Sequence, residues 1–296
     1  MRPPALHIII MEIQGDRSPS SRREESMREI TVAAVQMDAR LNEMEDNLSR
    51  MAEWIARVAS EQRVDLIVFP ELVTTGYECG ARFTEWAQRI PGPSTHRIAQ
   101  RAREFGVHVV FGMAVRERVE TILYNSAVVI GPDGETLGVY HKVHLKGEER
   151  LLFRGGYRFP VFETGFGWLG VLLGWDLLFP EAARVLALSG AELLAVPAAW
   201  EQPLREEWRI VTRARALENT FFLVAANRVG KEVTYEFVGD SMILGPRGQV
   251  FASLDEPTEG YVVARIDLEE VRRQREELQV LQARQPNSYR LLAKPY

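Results

Sequence analysis

From Ile30 onward, short apolar runs alternate with amphipathic stretches, the pattern of strands interleaved with helices in a layered α/β fold. The clearest helix spans residues 43–60. There Met44, Leu48, Met51, Trp54, Ile55 and Val58 recur at three- and four-residue spacing, which gives the helix one buried face. Asn42 and Glu45 are placed for a capping-box-like start. Further helices are expected over residues 94–105, closed by Gly106, over 180–189, opened by Pro180 and closed by Gly190, and over 204–218. Asp267 and Glu270 open a last, highly charged helix that reaches about Arg284.

The apolar pattern is written twice. Residues 30–38 align with 168–176, residues 64–70 with 191–197, and residues 107–115 with 221–229, each segment a strand and all in one order. Residues 124–134 then align with 238–248, and both end on Gly-Pro-x-Gly, which reads as a hairpin turn. Two half-domains of similar build are implied. Two sheets packed face to face, with helices outside, would bury strands this continuously apolar.

A chain of 296 residues, 46% hydrophobic and 26% charged, suffices for one large soluble domain with a substantial core. Its 36 Lys and Arg against 41 Asp and Glu leave a formal charge of -5. No global field therefore steers it toward nucleic acid or an anionic membrane, and a small neutral ligand is the default partner. One cysteine, Cys79, excludes an intrachain disulfide and fits a reducing, cytoplasmic setting. The chain has no Cys/His clusters and so no zinc-type signature. Residues 1–26 stand apart, because the apolar stretch from Ala5 to Met11 gives way to a charged, serine-rich one. That stretch is too short to span a bilayer and lacks the form of a secretory leader. A disordered extension is expected there, with the folded domain over 27–296 and a natural translation start at Met27.

Three segments carry candidate chemistry. Glu71 follows the apolar run 66–70, so it lies where a buried strand ends and a loop begins. Burial there raises a carboxyl pKa, and a carboxylate tuned this way can take a proton from a nucleophile and return it to a leaving amine. In isolation, a helix cap or surface charge is the simpler account of such a residue. Lys142 sits in a strand-like alternation over 138–145, with His141 and Lys142 pointing to opposite faces. Facing inward, its ammonium needs an anion, and it can stabilise an oxyanion or hold a neighbouring carboxylate. In isolation it would be an edge-strand gatekeeper, and His141 and His144 are structural. The third segment, residues 170–181, runs as an apolar strand into a sharp turn and a helix opened by Pro180, and it presents Gly174 at the strand tip.

Together these segments resemble the nitrilase superfamily of carbon-nitrogen hydrolases. The family's motifs are a Glu after an apolar strand and Pro, a Lys in a Tyr-x-Lys-x-His-Leu-like run, and a Cys before an aromatic residue and an Asp. Residues 213–219, 225–230 and 239–241 also look like that family, and the resemblance covers nearly all of the chain from Met27. It implies a four-layer αββα sandwich, association as a homodimer or higher homo-oligomer, and no metal or organic cofactor. By position it makes Glu71 the general base, Lys142 the oxyanion-stabilising cation, and Glu149 a second glutamate that positions substrate and Lys142. The nucleophilic cysteine falls on Gly174, and the Trp175 N–H would be the oxyanion partner of Lys142. Cys79 leaves from the wrong strand tip to replace it.

Without the thiol the chain is expected to be inactive or to trap substrate, either as an engineered knockout or as a natural member that kept its pocket. The competing class is a non-catalytic ligand-binding or scaffold protein. Relatives that act on N-carbamoyl amino acids or ω-amido acids tend to carry an arginine just after the Cys-x-Asp turn, where this chain has Leu177 and Leu178. A neutral or apolar amide is therefore favoured. Tyr77, Phe83, Trp175, Phe179 and Trp200 are candidates to line its pocket.

Overall fold

A computed structural model describes residues 28–118 and 122–294, so the extension expected over 1–26 lies outside the described residues. The first half supplies β1 (Glu29–Gln36), β2 (Leu66–Val68), β3 (His108–Arg116), β4 (Leu123–Ile130) and β5 (Thr136–His141). The second supplies β6 (Val161–Thr164), β7 (Gly167–Val171), β8 (Leu193–Ala198), β9 (Phe222–Asn227), β10 (Val229–Lys231), β11 (Glu236–Val238), β12 (Ser241–Leu244), β13 (Val250–Leu254) and β14 (Gly260–Asp267). The helices are α1 (Met44–Glu61), α2 (Phe83–Trp86), α3 (Pro93–Phe105), α4 (Glu149–Leu152), α5 (Pro180–Leu188), α6 (Arg205–Asn219) and α7 (Glu269–Leu278).

One sheet runs β14-β1-β2-β3-β4-β5 and the other β6-β7-β8-β9-β12-β13. In each, three parallel strands form the centre and antiparallel neighbours flank them. The aligned sequence segments occupy equivalent places, β1 with β7, β2 with β8, β3 with β9 and β4 with β12. Both Gly-Pro-x-Gly segments close hairpins with the same bonds: Gly131 N–H donates to Glu135 O (2.8 Å) and Gly245 N–H to Gln249 O (2.9 Å). Gly134 and Gly248 sit at φ +82° and +72°, which favours glycine at the fourth position.

Alternation along each strand divides the core. Val32 and Ala34 of β1 face the second sheet, in one cluster with Leu194, Val196, Phe222 and Val224. Ala33 and Val35 face outward onto α1 and α3, in a cluster with Leu48, Ile55 and Ile98. With α5 and α6 covering the second sheet, the layers read αββα.

Three local expectations are corrected. Helix α1 has no side-chain cap. Asn42 instead adopts φ +62° and accepts the Trp86 indole N–H (3.1 Å), while Glu45 pairs with Arg97. The last helix stops at Leu278, short of Arg284, because Gln279 turns left-handed at φ +52°. The strand expected to reach Asp176 ends at Val171, since the Asp176 carboxylate takes the Leu173 N–H (3.1 Å) and folds the chain into a 3-10 turn over Gly174–Leu178.

Candidate active site

Strand β2 ends because Pro70 has no N–H to extend the ladder. Its carbonyl accepts the Gly112 N–H of β3 (3.0 Å), which draws the next residues tightly over that strand. A Cβ at position 112 would lie 2.6 Å from Glu71 Cα, so glycine is required there. Leu72 follows at φ +46°, a left-handed conformation that costs on the order of 1 kcal/mol and that the surrounding packing sustains.

Glu71 is thereby delivered to a buried cluster with Lys142, Glu149 and Asn125, each at most 4% exposed. Lys142 Nζ donates to Glu71 Oε1 (2.7 Å) and to both Glu149 oxygens (2.9 Å each). Asn125 Nδ2 bridges the same carboxylates, donating to Glu71 Oε1 and Glu149 Oε1 at 2.7 Å each. Only the amide nitrogen can face two carboxylates, so its orientation is set by charge. Two acids share one ammonium. Burial pushes the Glu71 carboxyl above its ordinary value against the pull of Lys142, with Glu149 adding to the rise. Burial opposes the Lys142 ammonium, yet Glu149 and Glu71 hold its pKa well above the usual lysine range. A base that holds its proton more readily than a free carboxylate, beside a permanent cation, is equipped for proton transfer at a carbonyl.

Gly174 sits at φ +31° at the start of the 3-10 turn. A Cβ built there falls 2.5 Å from Glu71 Oε2, the carboxylate oxygen that Lys142 and Asn125 leave open. Asp176 ties this turn to the segment carrying Lys142. Its Oδ2 accepts the Tyr140 hydroxyl (2.6 Å), and its Oδ1 accepts His144 N–H (3.0 Å) and contacts His144 Nδ1 (2.8 Å). Position 174 and Lys142 are thus held in one rigid frame.

A cleft of about 280 Å³, counting its open mouth, has Glu71 and Lys142 at its buried end and Tyr77, Trp175, Trp200 and Leu204 on its walls. Lys146, Ala199 and Glu201 complete the lining. The volume suits a ligand smaller than a drug-sized molecule. Phe179 lies outside this lining, its ring stacked on His144 at 3.6 Å, and Phe83 packs on Phe153 at 4.8 Å. Cys79 is buried, donates to Thr75 O (3.2 Å), and burial raises its thiol to about 11. Sequence reasoning passed over Asn125 and noted Asp176 only as part of the turn motif, without a role. The first stands beside Ser126 in a mostly apolar strand and the second is the one carboxylate inside the run 172–179, so polar residues among apolar neighbours were the available signal. Among the described residues no group of His, Cys, Asp and Glu could hold a metal ion, and no helix is long and apolar enough to cross a membrane.

A family model described as Carbon-nitrogen hydrolase matches residues 31–276. A nitrilase of Pyrococcus abyssi is 42% identical over 250 residues, covering 83% of this chain and 93% of its own length. An N-carbamoylputrescine amidase of Arabidopsis thaliana is 34% identical over 289 residues, covering 90% and 95%. Among solved structures, the amidase of Nesterenkonia sp. AN1 superposes with a TM-score of 0.78 at 28% identity, covering 92% of this chain and 99% of that one. That structure is a glutamate-to-glutamine variant with the acetamide moiety of fluoroacetamide covalently added at its active-site cysteine.

Proposed function

The chain belongs to the carbon-nitrogen hydrolase family, within the nitrilase superfamily, and on that premise we propose that its site is built to cleave a small neutral or apolar amide and lacks only its nucleophile. One observation carries this: any side chain at position 174 would leave the strand tip pointing at Glu71 Oε2. Base and nucleophile positions face each other, and Lys142 is fixed beside them.

In the complete site a thiol at 174 gives its proton to Glu71 and attacks the amide carbonyl, forming a C–S bond. The oxyanion that results is stabilised by the Lys142 charge and the Trp175 N–H. Glu71 then protonates the leaving nitrogen as the C–N bond breaks, and water, deprotonated by Glu71, cleaves the thioester. Asn125 and Glu149 hold base and cation in place throughout. With Gly174 the first step has no atom to perform it, and the chain as it stands binds amide without turning it over.

Calorimetry with butyramide tests the binding half of this proposal. Binding heat without ammonia release is expected from the unaltered protein and from Gly174→Ala alike. Absence of binding by both would remove the basis for a retained pocket.

The outer helices support a homodimer. Val185 and Leu188 on α5 and Ile210 and Leu217 on α6 are all more than 40% exposed, apolar side chains on neighbouring helices that a partner subunit would bury. Light scattering is expected to give twice the chain mass of 33.7 kDa, falling to the monomer in Ile210→Glu. A monomeric unaltered protein would contradict the assignment.

A further inference from the structure

One ion pair in the cleft takes no part in this chemistry. Lys146 lies in the loop after β5, and Glu201 follows β8, so the pair joins the two halves of the molecule where both residues line the cleft. Their side chains are 30% and 22% exposed, against 1% and 2% for Lys142 and Glu71, which puts the pair at the mouth and the reacting groups at the buried end. Lys146 is anchored twice more. Its Nζ lies 4.8 Å from the Trp175 ring centroid, and its backbone N–H donates to Glu149 Oε2 (2.8 Å). The charges therefore stand at fixed places on the wall that the far end of a bound amide meets.

We propose that the Lys146–Glu201 pair sets the charge class of the substrate. The inference rests on the amidase assignment above. Closed on itself, the pair offers no net charge to the distal end of an amide, and the remaining wall residues, Tyr77, Trp175, Ala199, Trp200 and Leu204, are uncharged at neutral pH. Removing one partner leaves the other unpaired beside aromatic rings, where a charge is poorly screened and attracts its opposite. Glu201→Gln frees the Lys146 cation and turns preference toward amides that end in a carboxylate. Lys146→Met frees the Glu201 anion and turns it toward amides that end in an ammonium. A general loosening of the cleft cannot move two variants in opposite directions.

Calorimetry on the unaltered chain and both variants, with butyramide, succinamate and 4-aminobutanamide as probes of equal carbon count, tests the proposal. The unaltered protein is expected to bind butyramide best. Relative to butyramide, Glu201→Gln gains about tenfold for succinamate and Lys146→Met about tenfold for 4-aminobutanamide, with both gains shrinking at high salt. The reversed pair, Lys146→Glu with Glu201→Lys, returns the preference to butyramide and serves where a single variant fails to fold. If folded variants, singly substituted or reversed, bind butyramide with weaker binding of both charged probes and no shift of opposite sign, the charge-class role is overturned while the pocket stands. If the unaltered protein binds none of the three, the amide pocket itself is overturned, and the inference with it.

Discussion

Gly174→Cys is expected to release ammonia from small neutral amides about a millionfold faster than the unaltered protein, the scale of loss when a covalent hydrolase is stripped of its nucleophile. Glu71, Lys142, Asn125 and Glu149 already stand in contact, so on the proposed mechanism only the attacking atom has to be added. The new side chain will not enter freely. Position 174 lies at φ +31°, and the added Cβ meets Glu71 Oε2 at 2.5 Å, closer than real Cβ contacts come, so the carboxylate must shift. Oε2 takes no bond from Lys142 or Asn125, so it is the oxygen that can shift. The substitution therefore costs on the order of 1 kcal/mol of stability, and Gly174→Ala shows that cost without gaining activity. Because burial raises the Glu71 pKa, the acid limb of the restored activity falls above the ordinary carboxylate value of 4.5. A folded Gly174→Cys protein that hydrolyses no member of an amide panel contradicts the site assignment.

Lys142→Met is expected to lower stability at neutral pH by about 3–5 kcal/mol, because it strands Glu71 and Glu149 as two buried acids without their cation. The sign of the pH dependence follows. Deprived of Lys142, whose charge pulls it down, the Glu71 carboxyl rises further above 4.5, so between that value and the raised one the folded variant binds more protons than the unfolded chain, and its stability falls as pH rises. The deficit relative to the unaltered protein should therefore shrink as pH is lowered toward 5 and be largest at neutrality. In the unaltered protein the Lys142 contribution is complete below the ordinary lysine value of 10.5 and is lost only as pH passes the higher folded value. Chemical denaturation at several pH values checks this. A variant deficit that stays constant with pH would mean that the two acids are not coupled through Lys142.

Much of the architecture was legible because it depends on periodicity. The duplicated apolar runs give β1 to β4 the same places in one sheet as β7, β8, β9 and β12 hold in the other, and the repeated Gly-Pro-x-Gly closes the two hairpins. Glu71, Lys142 and Glu149 could be named as a set because motif order specifies them, and the fold brings all three within hydrogen-bond distance. What escaped was decided by tertiary contact. The Asn42 and Glu45 side chains were drawn to Trp86 and Arg97 on other segments, which local capping rules do not register. Phe179 and Trp175 look equivalent in sequence, yet one stacks on His144 and the other faces the cleft. Likewise the pairing of Lys146 with Glu201 joins segments 55 positions apart, beyond any local pattern.

The most direct measurement is intact-protein and peptide mass spectrometry of Gly174→Cys quenched during turnover of an amide. The predicted result is a mass increase equal to the acyl group, located on the peptide that carries position 174 and absent from Cys79, whose thiol is buried and held at a raised pKa. A folded protein with no acyl adduct at position 174, or with its adduct on Cys79, would contradict the claim that this turn presents the nucleophile to Glu71.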